Sequence, residues 1–195
     1  MPEGASGLVV FAHGSGSSRF SPRNLFVAEN LRAKGLATLL FDLLEEHEAH
    51  DPANVFDIEL LSRRVADAVD WIDARDRHNA PQIGLFGAST GAAAALVAAV
   101  RRQGHVAAVV SRGGRPDLAG HFLAEVRAPT LLIVGGEDRE VLRLNESAAQ
   151  AMRCQREVVV IPGATHLFEE PGTLEAAAEK AGAWFLRYLC PQATT

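Results

Sequence analysis

One short pattern limits the possible folds of this chain more than any other. The apolar run of residues 82–88 has the length of a buried strand, and it overlaps the sequence Gly-Ala-Ser-Thr-Gly at residues 87–91. An alanine-rich segment of helical character follows at once. Side chains at Gly87 and Gly91 would collide with the neighbouring strand and helix, so both positions favour glycine. The pattern predicts a strand, a strained turn that carries Ser89, and a helix packed closely on the sheet.

Short apolar runs without polar alternation recur along the chain and predict six buried strands. The runs are residues 8–12, 37–41, 82–88, 106–110, 130–134 and 157–161. Segments of helical character separate them, and the clearest is residues 57–76, where apolar side chains recur every three or four positions. This alternation predicts the α/β fold class, with a single doubly wound, mostly parallel sheet of about six strands and helices on both faces. We expect one domain over residues 1–195.

Capping residues and apolar spacing predict four further helices. Ser21 and Pro22 suit the N-cap and first position of a helix that ends near Gly35. The others are expected over residues 90–103, 144–152 and 174–189. Residues 43–56 are polar, acidic and broken by a proline, which predicts a loop long enough to overhang a site. A second loop is expected at residues 111–117.

Charge and hydropathy exclude several classes of protein. A net charge of -5 disfavours general binding to nucleic acid or anionic membranes, since both require a basic surface. No window stays apolar for the ~18 residues of a membrane span, and residues 1–7 lack the features of a secretion signal. Cys154 and Cys190 form neither a disulfide framework nor a metal-ligand spacing. We expect a reduced, cytoplasmic protein that binds neither nucleic acid nor membranes, with its oligomeric state left open.

Polar residues directly after buried strands are the candidates for a ligand site, because such sites lie beyond the carboxyl ends of parallel strands. Six residues meet that condition: His13, Asp42, Ser89, Arg112, Asp138 and His166. A serine hydroxyl becomes a good nucleophile when an imidazole takes its proton and a carboxylate orients the imidazole. The order Ser89, Asp138, His166 is the one expected when the nucleophile lies in a strand-to-helix turn.

Each of these roles has a plainer alternative. Ser89 fits equally a turn with an idle serine, and a lone loop histidine such as His166 is more often structural. Glu137 and Asp117 compete with Asp138 for the role of the orienting carboxylate. We favour Asp138, because Glu137 would more naturally point away or cap the following turn.

Two backbone N–H groups are candidates for stabilising an oxyanion. That of Thr90 lies at the start of the helix after Ser89, where the helix dipole favours negative charge. That of Ser15 lies in the small-residue loop after the first strand, which allows close approach of the backbone. His13 precedes the nucleophile in the chain, so we expect it to brace this loop through a hydrogen bond rather than to act as the base.

Together these features resemble the α/β-hydrolase superfamily, in particular its small, lidless members similar to dienelactone hydrolase and short carboxylesterases. Four motifs follow the order of that family across essentially the whole chain: residues 13–14, 87–91, 135–138 and 165–166. The chain departs from the family in two ways. Residues 1–7 leave no room for the first two strands, and Ser89 stands where dienelactone hydrolases proper have cysteine, which favours generic ester chemistry.

The resemblance implies a serine hydrolase that cleaves carboxylic esters through an acyl-enzyme. Ser89 would attack, His166 would shuttle the proton and Asp138 would orient His166, with no metal or organic cofactor. No insertion is long enough for a cap domain, so an open site for small or accessible esters is expected. The residues leave open a thioesterase, amidase, lactonase or acyltransferase with the same triad, and also a non-catalytic binding module that has kept the fold.

Four arginines lie in or just after loops at this edge of the sheet: Arg19, Arg23, Arg112 and Arg115. A guanidinium pair, for which Arg19 and Arg112 are the candidates, could bind a carboxylate or phosphate of an anionic small-molecule ester. Arg112→Ala would then raise KM for anionic esters but not for neutral ones. The alternative is surface salt bridges with Asp117 or with the acidic residues 45–51. The remaining histidines lack metal-ligand spacing and receive no role: His47, His50, His78, His105 and His121.

Overall fold

All six strands lie in one parallel sheet in the order β2-β1-β3-β4-β5-β6. They are β1 (Leu8–Ala12), β2 (Ala37–Leu40), β3 (Ile83–Ala88), β4 (Val106–Arg112), β5 (Thr130–Gly135) and β6 (Arg156–Ile161). The computed structural model describes residues 5–75 and 81–190, so residues 1–4, the last residue of the helix predicted over 57–76, and His78 lie outside the described residues. The predicted α/β class, with a parallel sheet of six strands, is confirmed.

Seven α-helices and one 3-10 segment connect the strands within the described ranges. They are α1 (Pro22–Ala33), α2 (Glu46–Ala49), α3 (Pro52–Val55), α4 (Ile58–Arg75), α5 (Thr90–Arg101), the 3-10 segment Pro116–Glu125, α6 (Arg139–Ala151) and α7 (Thr173–Leu189). Ser21 caps α1 as predicted, since its Oγ accepts the N–H of Asn24 at 3.4 Å. Neither α4 nor any other helix in these ranges is both long and apolar enough to cross a membrane.

The central strands β1, β3, β4 and β5 are buried on both faces, which explains their unbroken apolar character. The edge strands β2 and β6 are partly exposed, so the prediction of six buried strands is wrong for these two. Alternate residues of β1 enter different clusters: Val9 and Phe11 pack with α1 and α7, whereas Val10 packs with α4 and α5. This separation follows from the two-residue period of a strand. Helices cover both faces of the central strands, so a site can form from the residues that follow these strands at the carboxyl end of the sheet.

Three predictions of local structure were incomplete. Residues 43–56 contain α2 and α3, because Glu45 and Glu48 form a capping box and the Asp51 carboxylate caps the turn that begins at Pro52. Helix α6 begins at Arg139 rather than at residue 144, and Val141 of its first turn is buried. The loop predicted at residues 111–117 overlaps the end of β4 and the start of the 3-10 segment, in which Gly120 breaks the middle with a φ of 55°.

Candidate active site

Ser89 lies in the strained turn that the sequence predicts. Its φ of 51° and ψ of -125° are unusual for a residue other than glycine. A Cβ at Gly91 would lie 2.2 Å from the carbonyl oxygen of Ala12, and one at Gly87 would lie 2.4 Å from the Cα of Ala92. The predicted collisions with a neighbouring strand and with the following helix are therefore confirmed, and they place Ser89 at the carboxyl end of β3.

His166 and Asp138 are in direct contact although 28 residues separate them in the chain. Nδ1 of His166 lies 2.6 Å from Oδ2 of Asp138. Because a carboxylate can only accept, the proton belongs on Nδ1, and the lone pair of Nε2 remains available. The competing Glu137 is exposed, whereas Asp138 is half-buried beside the imidazole. The loops after β5 and β6 thus bring together the carboxylate and the histidine that the sequence nominates.

A small cavity of about 260 Å³ contains both Ser89 and His166 in its wall. The residues around it are Gly14, Ser15, Ser17, Ser21, Arg23, Asn24, Ala88, Ser89, Arg112, Gly113, His166 and Leu167. No hydrogen bond joins Ser89 to His166 among the contacts of the described residues, although both side chains line this cavity. A proton transfer between them requires an approach to about 2.6–3.2 Å.

The loop after β1 approaches the nucleophile closely. A Cβ at Gly14 would lie 2.8 Å from the Cβ of Ser89, so glycine is what allows the contact. The N–H of Ser15, which the sequence nominates for the oxyanion, donates to Oγ1 of Thr90 at 3.0 Å. This N–H therefore points at the start of α5 but already has an acceptor.

His13 braces this loop, in agreement with its predicted role. The N–H of Leu43 donates to Nε2 of His13 at 3.0 Å, so the ring proton belongs on Nδ1, which lies 3.0 Å from the carbonyl oxygen of Gly14. Both ring nitrogens are engaged. His13 therefore joins the segments after β1 and β2 and has no free lone pair for base chemistry.

The arginines that the sequence grouped together have different surroundings. Arg19 forms an ion pair with Asp42 and does not line the cavity that holds Ser89, so the structure does not bring it together with Arg112. Arg115 forms two hydrogen bonds with Asp117, at 2.9 and 2.8 Å, which matches the surface alternative. Arg112 instead is buried and lines the cavity.

A family model described as Dienelactone hydrolase family matches residues 9–190. The chain belongs to the dienelactone hydrolase family. A solved dienelactone hydrolase from Anabaena variabilis is 53% identical, with a TM-score of 0.91 over 97% of this chain and 89% of that chain. Est1E from Butyrivibrio proteoclasticus is 18% identical, with a TM-score of 0.76 over 93% of this chain and 87% of that chain, and shows a shared fold alone. Membership of the dienelactone hydrolase family supports hydrolase activity.

The curated relatives that this chain matches are longer than the chain itself. Proteins from two strains of Mycobacterium tuberculosis are 57% identical over 190 residues, which is 97% of this chain but 43% of each relative. Both are provisionally named phosphoribosyl transferases. Because this chain spans less than half of their length, that name does not assign phosphoribosyl transfer to the matched segment.

The sequence analysis assigns no functional role to three residues near the site. The carboxylate of Glu170 accepts from the N–H of Thr165 at 3.0 Å and from its hydroxyl at 2.6 Å. These hydrogen bonds lower the pKa of Glu170 and anchor the residue next to His166. Phe168 has a φ of 54° in the same loop, and Asn24 is buried at the cavity wall.

A larger cavity of about 880 Å³ adjoins the same loop, since Gly14, Ser15 and Ser17 line both cavities. Helices α2 and α3 cover part of it, and its wall includes Leu43 and Phe56. The prediction that residues 43–56 overhang a site therefore agrees with the structure, although the overhanging segment is helical rather than irregular.

Proposed function

We propose that this member of the dienelactone hydrolase family is a serine hydrolase that cleaves carboxylic esters through an acyl-enzyme. The observation that carries the proposal is the 2.6 Å contact of Asp138 with His166, a residue that lines the same cavity as Ser89. The strained turn supports it further, because strain in a backbone is maintained chiefly at functional positions.

In the proposed reaction, Oγ of Ser89 forms a bond to the ester carbonyl carbon while its proton passes to Nε2 of His166. The carbonyl π electrons move to oxygen, and the N–H groups of Ser15 and Thr90 donate to that oxyanion. As the tetrahedral intermediate collapses, the bond to the alcohol oxygen breaks and His166 returns the proton to the leaving alcohol. Water then repeats the sequence on the acyl-enzyme and regenerates the Ser89 hydroxyl.

Asp138 orients His166 in this scheme and stabilises the imidazolium that forms after proton transfer. The two cavities meet at the loop that carries Ser15, so each can hold a different part of one ester substrate. The larger one has the volume of ordinary ligand sites, ~300–1,000 Å³, and a wall rich in apolar side chains. It suits the bulkier part of an ester, and the smaller one suits a compact part.

The decisive experiment compares the parent protein with Ser89→Ala on a short p-nitrophenyl ester and with a fluorophosphonate probe. We expect the parent to release p-nitrophenol and to gain the mass of the probe at Ser89, and the variant to do neither while keeping its circular dichroism spectrum. Turnover that persists in Ser89→Ala would place the nucleophile elsewhere. A parent that neither turns over esters nor reacts with the probe would favour the non-catalytic binding module.

The same assay distinguishes ester hydrolysis from the hydrolysis of thioesters, amides or lactones by the same three residues. Matched ester, thioester, amide and lactone substrates with a common acyl group are compared by kcat/KM. We expect the oxygen ester to be preferred over the amide, because the alcohol is the better leaving group. A preference for the thioester or lactone would leave the acyl-enzyme mechanism in place but change the proposed class of substrate.

A further inference from the structure

We infer that Asn145 is a positioning residue for the proposed ester hydrolysis, because it holds the backbone N–H of Thr90 toward the oxyanion through hydrogen-bonded peptide groups. This inference rests on the proposed function, in which that N–H is an oxyanion donor. Asn145 lies on α6 and does not line the cavity that contains Ser89. It therefore acts at a distance, through the loop that follows β4.

The buried side-chain amide of Asn145 is the starting point. The residue is 0% exposed, and its Nδ2 donates to the carbonyl oxygen of Gly114 at 2.9 Å and to that of Val141 at 2.8 Å. Because both acceptors are carbonyl oxygens, the amide nitrogen rather than the amide oxygen must face them. The bond to Val141 stays within α6, whereas the bond to Gly114 joins α6 to the loop after β4.

That loop transmits the interaction to the strained turn. The carbonyl of Gly114 and the N–H of Arg115 belong to one planar trans peptide group, so they point in opposite directions. The N–H of Arg115 donates to the carbonyl oxygen of Ser89 at 3.0 Å. This carbonyl in turn shares a planar group with the N–H of Thr90, so the direction of one sets the direction of the other. These groups form an amide relay from Asn145 to Thr90.

The N–H of Thr90 is the oxyanion donor that gains most from such support. Thr90 is the first residue of α5, and the N–H at that position has no partner within its helix. The N–H of Ser15 already donates to Oγ1 of Thr90 at 3.0 Å. Hydrogen bonds in a chain polarise one another, so each bond of the amide relay strengthens the next donor. Asn145 thus makes the N–H of Thr90 better aligned and a stronger donor.

Close packing keeps the loop of the amide relay in place. A Cβ at Gly114 would lie 2.0 Å from Oγ of Ser111 and 2.5 Å from Cβ of Ala92, so the loop lies directly on β4 and α5. Helix α6 begins after Asp138, which is its N-cap. One helix therefore carries both the carboxylate that orients the imidazole and, at Asn145, the start of the amide relay.

A role in stability alone explains Asn145 poorly. Its Oδ1 is buried and has no hydrogen-bond partner among the residues that the structure describes. An unpaired acceptor in the interior destabilises a folded protein. Leucine has a similar size and would leave no such atom, so packing by itself does not require an amide at this position.

The experiment compares the parent with Asn145→Leu and Asn145→Thr on a neutral p-nitrophenyl ester. Asn145→Leu removes both hydrogen bonds. Asn145→Thr has one hydroxyl proton, which a helical threonine donates to the carbonyl one turn earlier, here that of Val141, so the bond to Gly114 is lost.

We expect both variants to lose activity to a similar extent. Loss of an entire oxyanion donor lowers kcat by about 10²–10³-fold, so a weakened donor should lower kcat and kcat/KM equally, by about 5–30-fold. Unchanged kcat in Asn145→Leu would overturn the inference. Parent activity in Asn145→Thr together with a loss in Asn145→Leu would assign the effect to the bond with Val141 and would also overturn it.

The matched control is Thr130→Val. Thr130 is 0% exposed, and its Oγ1 donates to the carbonyl oxygen of Ala128 at 3.0 Å. The residue begins β5, at the edge of the sheet opposite Ser89. Thr130→Val thus removes a buried bond from a side chain to the backbone without a change to the amide relay, and it should keep the parent kcat. An equal loss of kcat in this control would attribute the effect to general destabilisation and overturn the inference.

A measurement without turnover separates this inference from the proposed function. Proton–nitrogen correlation spectra report the polarisation of each backbone N–H. We expect the amide proton resonances of Arg115 and Thr90 to move upfield in both Asn145 variants and to stay in place in Thr130→Val. These shifts in a protein without esterase activity would support the amide relay and reject the proposed function. An unchanged Thr90 resonance would overturn the amide relay even where Ser89→Ala abolishes turnover.

The parent protein decides the question if neither Asn145 variant folds. Scalar couplings through hydrogen bonds connect the nitrogen of a donor with the carbon of the accepting carbonyl. The side-chain amide of Asn145 and the N–H of Arg115 should each show this coupling to their acceptors. The N–H of Gly113 donates to the carbonyl oxygen of Ile133 at 2.8 Å and provides the positive control. Detection of the control coupling without the other two would overturn the inference.

Discussion

The backbone N–H of Ser15 donates to the side-chain hydroxyl of Thr90 at 3.0 Å across 75 residues of sequence. The two residues thus connect the loop after β1 to the first position of α5. If the Ser15 N–H is to stabilise an oxyanion, this hydrogen bond must be exchanged for one to the substrate. An interaction present before the reaction and lost in the transition state opposes catalysis.

Replacement of the Thr90 hydroxyl should therefore accelerate the proposed ester hydrolysis. Thr90→Val keeps the shape of the buried side chain and the backbone N–H but removes the acceptor. We expect kcat/KM to rise by about 2–10-fold, the equivalent of a net hydrogen bond of about 0.5–1.5 kcal/mol. Steady-state kinetics with a neutral p-nitrophenyl ester provide the measurement. Thr90→Ser keeps a hydroxyl and is the control. A large loss of activity in Thr90→Val but not in Thr90→Ser would instead indicate that catalysis needs the hydroxyl.

Asp138→Asn should reduce kcat by about 10³–10⁴-fold with little change of KM. An amide donates from its nitrogen and would favour the tautomer of His166 that carries the proton on Nε2, which leaves no base for the serine hydroxyl. The adjacent and exposed Glu137 offers the matched control, because Glu137→Gln makes the same chemical change one residue away. Comparable losses in both variants would contradict the assignment of the carboxylate.

Arg112→Met should increase the stability of the protein. Burial lowers the pKa of Arg112 on folding from its ordinary value to about 10. Between these two pKa values the unfolded chain binds more protons than the folded one, and the charge of the buried guanidinium opposes folding at every pH below about 10. An apolar side chain of similar length removes that cost, and we expect the free energy of unfolding to rise by about 1–3 kcal/mol.

Urea denaturation at several pH values measures this effect. The gain from Arg112→Met should be constant from neutral pH to about 9 and should shrink as the pH passes 10, because the parent arginine then loses its proton. A variant that is less stable than the parent at neutral pH would show that the guanidinium supports the fold rather than a ligand.

Much of the fold could be predicted because its signals are local. Each strand is a short apolar run and α4 has clear apolar spacing, so the alternation of elements is visible without any tertiary contact. The same holds for the turn at Ser89, where two glycines and an alanine-rich helix occur within a few residues. The short helices α2 and α3 were missed because caps such as Glu45 and Asp51 stabilise single turns that show no apolar period.

The environment of Arg112 could not be predicted in this way. Arg112 and Arg19 both follow strands, and both were expected near a substrate. Arg19 has an acidic neighbour in Asp42, whereas the surroundings of Arg112 come from β3, α1 and the loop after β6. Both residues carry the same charge and were expected at the same edge of the sheet, and only the packing shows which of them lines the cavity with Ser89.

The amino-acid sequence alone determined the parallel α/β sheet, the strained turn at Ser89 and the nomination of Asp138 and His166, because backbone sterics, apolar periodicity and chain order are local or sequential properties. Tertiary structure alone decided that Thr90 accepts the N–H of Ser15, and that Arg112 is buried in the wall of the cavity that contains Ser89, with no carboxylate partner among the described residues. Hydrogen-bond partners and desolvation depend on which distant segments meet, and that depends on how the whole chain packs.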